Sequence, residues 1–121
     1  MNEDFAPFEL AKKLKEKGFR EKVNAYYGKH ENIFEIHPAL DMNDADYGAS
    51  APTISQVLKW LREEQGYNVN MRIYSPDGWY WTIQDRDGNY CCYHLTLSDD
   101  LFETYEQAAL AGVNYCLENL I

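Results

Sequence analysis

"NVNMRIYSPDGWYWTIQDRDGNYCCYHLTL", residues 68–97, is the stretch that decides the fold. Its runs of alternating apolar and polar residues are separated by two three-residue loops, each ending in glycine: Pro76-Asp77-Gly78 and Arg86-Asp87-Gly88. Loops of this kind are typical of a type I turn closed by a glycine bulge. The stretch therefore predicts a meander of three antiparallel strands.

The predicted turns also set a register, in which Ser75 pairs with Trp79 and Asp85 pairs with Asn89. Because side chains alternate between the faces of a strand, we expect one face of this meander to form the core. That face carries Val69, Met71, Ile73, Trp79, Trp81, Ile83, Cys91, Tyr93, Leu95 and Leu97. A slip of one residue would expose both tryptophans, so the pattern specifies its register.

Three helices are predicted around the meander. The first spans Pro7 to Lys17, with a proline suited to the first turn and a glycine after the last. The second, within "APTISQVLKWLREEQG" at residues 51–66, begins with the capping pair Thr53 and Gln56. The third begins with the same type of pair, Thr104 and Gln107.

Two shorter strands, at residues 22–27 and 33–37, precede the second helix and are predicted to form a hairpin. Residues 38–52 are acidic and small, have no core pattern and are predicted to be a loop. The order is therefore α-β-β-α-β-β-β-α in one α+β domain, residues 1–121, with helices packed on a mainly antiparallel sheet. How the first hairpin pairs with the meander is left open.

Charge argues against direct binding to nucleic acid. The formal net charge is −9, and seven of the eleven basic residues lie within residues 1–29. A DNA-binding surface needs concentrated positive charge, which the remainder of the chain lacks. Residues 53–57 resemble part of a recognition helix, but an acidic loop precedes them where a first helix is required. The acidic balance favours simple solubility, or else a cationic partner.

No apolar run is long enough for a membrane span, and the N-terminal residues lack the layout of a signal peptide. The sequence thus predicts a cytoplasmic protein that does not associate with membranes. Three cysteines without regular spacing do not indicate a disulfide framework. In the predicted register Cys91 enters the core and its neighbour Cys92 faces the other way.

Motifs of known chemistry are missing from the sequence. It contains no glycine-rich phosphate loop, no nucleophile elbow and no metal-spaced group of histidines and cysteines. We therefore expect no cofactor and no metal site, and we assign no catalytic residue. Whether the protein is an enzyme stays uncertain, with a non-enzymatic role favoured.

The second face of the meander is the candidate binding surface. It combines aromatic contact area with hydrogen-bonding groups, and tyrosine and arginine are enriched at binding hot spots. The candidate residues are Arg72, Tyr74, Tyr80, Thr82, Tyr90 and His94. The sequence is compatible with an exposed surface and equally with one covered by the first helix or hairpin.

Three segments carry a resemblance to a known family: "FELAKKLKEKGF", "APTISQVLKWLREEQG" and "TYEQAALAGVNYCLENLI". They resemble blocks in a family of small Bacteroidetes proteins of unknown function, often encoded near phage or other mobile elements. The blocks are mostly helical and cover somewhat under half the chain. The resemblance implies a cytoplasmic accessory protein of prophage origin, and it brings no catalytic residue with it.

Three functional hypotheses follow. The first is a small non-enzymatic protein-interaction or accessory module that uses the tyrosine-rich face to bind a protein partner. The second is an acidic decoy that occupies a nucleic-acid-binding protein. The third is a small enzyme that uses His94 with a nearby acid.

Overall fold

The protein has an α+β fold, as predicted. A computed structural model describes residues 5–28, 33–40, 43, 48–74, 78–94 and 101–121, and gives only the backbone of 33–40 and 92–94. The chain divides into two compact units, Met1–Val57 and Leu58–Ile121. The elements in chain order are α1 (Phe8–Glu16), β1 (Val23–Tyr27), β2 (Ile33–Leu40), β3 (Ala49–Ser50), α2 (Ile54–Trp60), β4 (Asn68–Tyr74), β5 (Gly78–Gln84), β6 (Tyr90–His94) and α3 (Tyr105–Asn119).

The first unit begins with the predicted amphipathic helix. Pro7 precedes α1, whose residues Leu10, Ala11 and Leu14 are buried. Gly18 follows the helix with a φ of 88°, the left-handed conformation that stops a helix and that glycine adopts without a steric penalty. The start and the stop of α1 were therefore both readable from the sequence.

The sheet of the first unit has the order β2-β1-β3, with β1 antiparallel to both neighbours. The predicted hairpin of β1 and β2 is confirmed. The prediction that residues 38–52 form only a loop is wrong, because β2 extends to Leu40 and the short strand β3 follows.

A buried asparagine explains why β3 was missed. The Asn43 carboxamide donates a hydrogen bond to the carbonyl of Phe19 (2.6 Å) and accepts one from the amide of Ser50 (2.8 Å). Asn43 is only 4 % exposed, and Ser50 is fully buried. Polar groups buried in this way need such partners. The alternation of apolar and polar residues does not reveal a strand such as β3, which is stabilised by the side chain of a buried asparagine.

The second helix begins at Thr53 and ends at Gly66 as predicted, but its last part is π-helical. The backbone amide of Gln56 donates to the Thr53 hydroxyl (3.3 Å), and the Gln56 side chain accepts from the Thr53 amide (2.9 Å). After α2 the helix continues as a π-helical segment, Leu61–Gln65. It ends at Gly66, which has a φ of 82°. Trp60 at the end of α2 is buried, with 4 % of its surface exposed.

The predicted meander is present in the second unit, with the sheet order β4-β5-β6. Trp79 pairs with Ile73 rather than at the predicted position, so the register of β4 against β5 is shifted by two residues. A shift of two preserves the faces, because side chains alternate with a period of two. Residues 75–77 of the first turn lie outside the described residues.

The second turn is confirmed, but the strand that follows it contains a bulge. The Asp85 amide donates to the carbonyl of Asn89 (2.9 Å), and Gly88 has a φ of 83°. Gln84 then pairs with Tyr90, whereas Ile83 pairs with Cys92, so Cys91 is the extra residue. Cys91 is exposed, and its predicted place in the core is wrong for that reason. Leu95 and Leu97 lie outside the described residues.

Helix α3 packs on the face of the sheet that carries Trp81. Its N-terminus is capped as predicted at Thr104, whose hydroxyl accepts from the Gln107 amide (3.1 Å). A Cβ added at Gly112 would lie 2.8 Å from Val69 and 3.1 Å from Trp81, so only glycine allows this approach. Val69 and Trp81 are 7 % and 6 % exposed, which identifies this contact as the core of the unit.

None of the helices in the described parts of the chain is long and apolar enough to cross a membrane.

Tyr27 provides a pH-dependent test of the first unit. Its hydroxyl donates to the carbonyl of Ala6 (2.7 Å), and desolvation by burial raises its pKa above 10.0. The folded protein therefore holds this proton more tightly than the unfolded chain does, and the associated stability is lost as the pH rises through the folded pKa. We expect Tyr27→Phe to lower the free energy of unfolding by about 1 kcal/mol at neutral pH.

The difference in unfolding free energy between wild type and Tyr27→Phe should then shrink above about pH 10, where an unperturbed tyrosine ionises. Denaturant titrations at a series of alkaline pH values measure this difference. A difference that stays constant or grows across that range would contradict the assignment.

Gly112 provides a test of the second unit. We expect Gly112→Val to lower the free energy of unfolding by about 2 kcal/mol, because the added methyl groups overpack the contact with Val69 and Trp81. Ala111→Val is the matched control, since it adds the same β-branched residue one position away in the same helix. Urea denaturation of both variants checks the prediction, and equal losses would show that close packing at Gly112 is unimportant.

Candidate interaction surface

Three of the predicted surface residues lie together at one end of the sheet. Arg72 on β4 pairs with Tyr80 on β5, and Tyr74 follows two residues after Arg72 on the same face. Arg72 is exposed, Tyr74 is 50 % exposed, and Tyr80 is half-buried. Neighbours at this spacing lie within contact range of long side chains. We call Arg72, Tyr74 and Tyr80 the tyrosine cluster.

Thr82 belongs to the same face but not to the accessible part of it. It is 5 % exposed, and its hydroxyl oxygen has no hydrogen-bond partner among the described residues. The face is therefore open at the Tyr74 end and closed at Thr82. The sequence could not distinguish the two positions, because both belong to the same alternation.

Tyr90 is exposed at 55 % but lies elsewhere on the sheet. It pairs with Gln84 at the far end of β5, whereas Tyr74 pairs with Gly78 at the near end. Six residues of strand separate the two ends by roughly 20 Å. The structure therefore does not bring Tyr90 into contact with the tyrosine cluster.

His94 falls in a different register position from the one the sequence suggested. Its Cα lies opposite that of Trp81. Without the bulge, His94 would belong to the second face of the meander, together with Arg72, Tyr74 and Tyr80. The side chain itself lies outside the described part of the structure. Within the described residues, no group of three or more histidine, cysteine or acidic side chains could hold a metal ion.

Ile73 is an exposed residue that the sequence placed in the core. It is 62 % exposed, and this prediction is wrong. Helix α3 covers Val69 at the start of β4, but it does not cover Ile73 near the end of that strand. Trp79, which is opposite Ile73, instead makes an edge-to-face contact with Tyr105 at 5.5 Å and 90°.

A groove of about 400 Å³ follows strand β4. Its walls are Leu58, Arg62, Asn68, Val69, Asn70, Met71, Arg72 and Tyr105. Five consecutive residues of one strand contribute to these walls, although consecutive side chains point to opposite faces. The groove therefore runs along the edge of β4.

The direction of the backbone groups on this edge follows from one pair of hydrogen bonds. The amide of Trp79 donates to the carbonyl of Phe102 (2.8 Å), and the amide of Phe102 donates to the carbonyl of Trp79 (2.8 Å). Trp79 thus directs both backbone groups away from β4, so its pairing with Ile73 is a non-hydrogen-bonded pair.

Along an antiparallel ladder, successive residues direct their backbone groups to alternate sides of the strand. Asp85 lies six residues after Trp79, and its bond to Asn89 is on the same side of β5, as this alternation requires. The amides and carbonyls of Val69, Met71 and Ile73 therefore point outward, away from β5. Among the described strands, β4 has β5 as its sole neighbour. Its outward groups form an edge of the kind that pairs with added strands.

The groove is locally cationic in an acidic protein. Arg62 and Arg72 line it and are exposed, and no carboxylate is among its wall residues. Neither arginine forms an ion pair within the described part of the chain. Sequence reasoning missed Arg62 and Tyr105 because they come from separate elements. No sequence pattern predicts that Phe102 forms hydrogen bonds with Trp79, from which the outward direction of the β4 backbone groups follows.

No protein-family model, curated protein or solved structure matches this chain.

The bulge in β6 gives this region a chemical test. Cys91 is exposed and Cys116 is fully buried, and thiol reagents react with accessible thiolates. We expect Cys91→Ser to remove one equivalent of rapid thiol labelling from the native protein, and Cys116→Ser to leave rapid labelling unchanged. Colorimetric thiol titration measures both. An unchanged rapid phase in Cys91→Ser would contradict the bulge.

Proposed function

We propose that the protein is a small non-enzymatic interaction module that binds a protein partner at the open end of β4. The observation that carries this proposal is the run Arg72-Ile73-Tyr74, three consecutive exposed residues on an edge strand. Tyrosine and arginine are the residue types enriched at binding hot spots. A large apolar side chain that remains exposed beside them supports a contact surface.

The burial of the core beside this strand supports the same proposal. The core contact at Gly112, Val69 and Trp81 is well buried, so the exposure of Ile73 is a local property of the strand end. A rigid strand that presents exposed side chains loses little conformational entropy when it binds, and this favours affinity.

The accessory role, cytoplasmic location and prophage origin implied by the family resemblance belong to the same proposal. They rest on that resemblance and on the acidic composition, which also supports a role without direct nucleic-acid binding. The acidic decoy and the enzyme built on His94 stay predictions from the sequence.

The test compares proteins captured from a lysate of the native host by wild type, Tyr74→Ala and Tyr90→Ala. Tyr90 is the matched control, because it is an equally exposed tyrosine at the other end of the same sheet. Loss of a hot-spot side chain costs about 2 kcal/mol or more, which exceeds the roughly 1.4 kcal/mol that corresponds to a tenfold change in affinity. We therefore expect at least one captured protein to fall about tenfold with Tyr74→Ala and to stay constant with Tyr90→Ala.

Quantitative mass spectrometry of the captured proteins gives the readout. Identical captured sets for wild type and Tyr74→Ala would exclude the tyrosine cluster as the contact surface. Loss with Tyr90→Ala alone would place the contact at the opposite end of the sheet and contradict the proposal.

A further inference from the structure

We propose that β4 accepts an acidic, extended segment of a partner protein as an additional strand of the sheet. This inference rests on the proposed function and specifies the partner and its mode of binding. Addition of a strand to an exposed sheet edge is a general mode of peptide recognition. Backbone hydrogen bonds supply the affinity, and alternate side chains supply the specificity.

The backbone supplies the first part of the argument. The outward amides and carbonyls of β4 belong to Val69, Met71 and Ile73, which are buried, half-buried and 62 % exposed respectively. The edge therefore opens progressively toward its C-terminal end. Met71 and Ile73 together offer two donors and two acceptors, enough to fix the register of an incoming strand.

The side chains supply the second part. A segment beside β4 would meet Arg72 and Tyr74 on one face of the sheet, and Met71 and Ile73 on the other. Because its own side chains alternate in the same way, the preferred segment alternates acidic with apolar residues. Its carboxylates would lie on the face of Arg72, and its apolar residues on the face of Ile73.

The local charge favours an acidic occupant over a basic one. The whole chain carries a net charge of −9, which would attract a basic segment at long range. At physiological ionic strength the screening length is about 8 Å, so charges close to the bound segment dominate. The charges lining this groove are those of Arg62 and Arg72.

A second copy of the chain fits this edge less well. The antiparallel register that pairs Met71 of one copy with Ile73 of the other places the two Arg72 residues directly opposite each other. Like charges at opposed positions destabilise a sheet. The register with Val69 opposite Ile73 requires a residue that is only 7 % exposed, and the register with Ile73 opposite Ile73 overlaps the two strands over residues 72–74 only.

The first experiment uses fluorescence anisotropy with a labelled peptide in which valine and glutamate alternate. A peptide of alternating valine and lysine is the control for charge. We expect the glutamate peptide to bind at least tenfold more tightly, and Arg72→Gln to weaken it about tenfold. Lys59→Gln removes a nearby exposed cation that does not line the groove, and it should leave the affinity unchanged.

The second experiment tests the backbone hydrogen bonds. Ile73→Pro removes an amide that points outward, so we expect the hairpin to keep its fold and to lose the peptide. Ile73→Thr keeps the amide and should retain most of the binding. Circular dichroism checks the fold of both variants. If Ile73→Pro does not fold, amide exchange of the wild type decides, with protection of Met71 and Ile73 expected on peptide addition.

Equal or tighter binding of the lysine peptide would overturn the inference, as would unchanged exchange at Met71 and Ile73. A wild-type dimer that Ile73→Pro dissociates would show that a second copy occupies the edge, and would also overturn it. If the captured partner depends on Tyr74 while the glutamate peptide fails to bind, the strand-addition inference is wrong and the interaction module stands. If the glutamate peptide binds and capture is independent of Tyr74, strand addition at β4 stands, and the tyrosine cluster is excluded as the surface that contacts the captured partner.

Discussion

The paired hydrogen bonds between Trp79 and Phe102 set the direction of the backbone groups throughout the sheet of the second unit. An antiparallel ladder alternates strictly, so one such pair determines which residues of β5 turn toward β6 and which toward β4. It follows that Val69, Met71 and Ile73 direct their amides and carbonyls outward. The bonds between Trp79 and Phe102 thus identify which backbone groups of β4 face away from the sheet.

Close packing then determines how much of that edge is accessible. Gly112 lets α3 approach Val69 and Trp81 so closely that the start of β4 is buried. Farther along, Trp79 packs on Tyr105 and leaves Ile73 exposed. The two ends of β4 therefore differ: the end at Val69 is packed in the core, and the end at Ile73 is exposed. A residue such as Ile73 contributes little to the core and is free to serve as a contact.

The helices and turns could be predicted because their signals lie within a few residues of sequence. The features that were not predicted depend on contacts between residues far apart in the chain or on irregular strand pairing. Thr53 with Gln56 and the turn at Gly88 have signatures that act within a few residues. The bulge at Cys91 has no such signature, and it moved every later residue of β6 to the opposite register position. Asn43 stabilises β3 by long-range polar contacts that a search for apolar periodicity cannot detect. For the candidate site, the meander and the pair Arg72 and Tyr74 could be predicted.

Composition and site lead to opposite expectations about the partner, and the range of the forces decides between them. A net charge of −9 suggests a cationic partner when the protein is treated as a single charge. The groove is lined by Arg62 and Arg72 without a carboxylate, and screening over about 8 Å weakens the contribution of acids farther away. Long-range charge governs solubility and the rate of encounter, whereas a bound strand meets only the charges beside it. The charge of the proposed partner is therefore better inferred from the groove than from the whole chain.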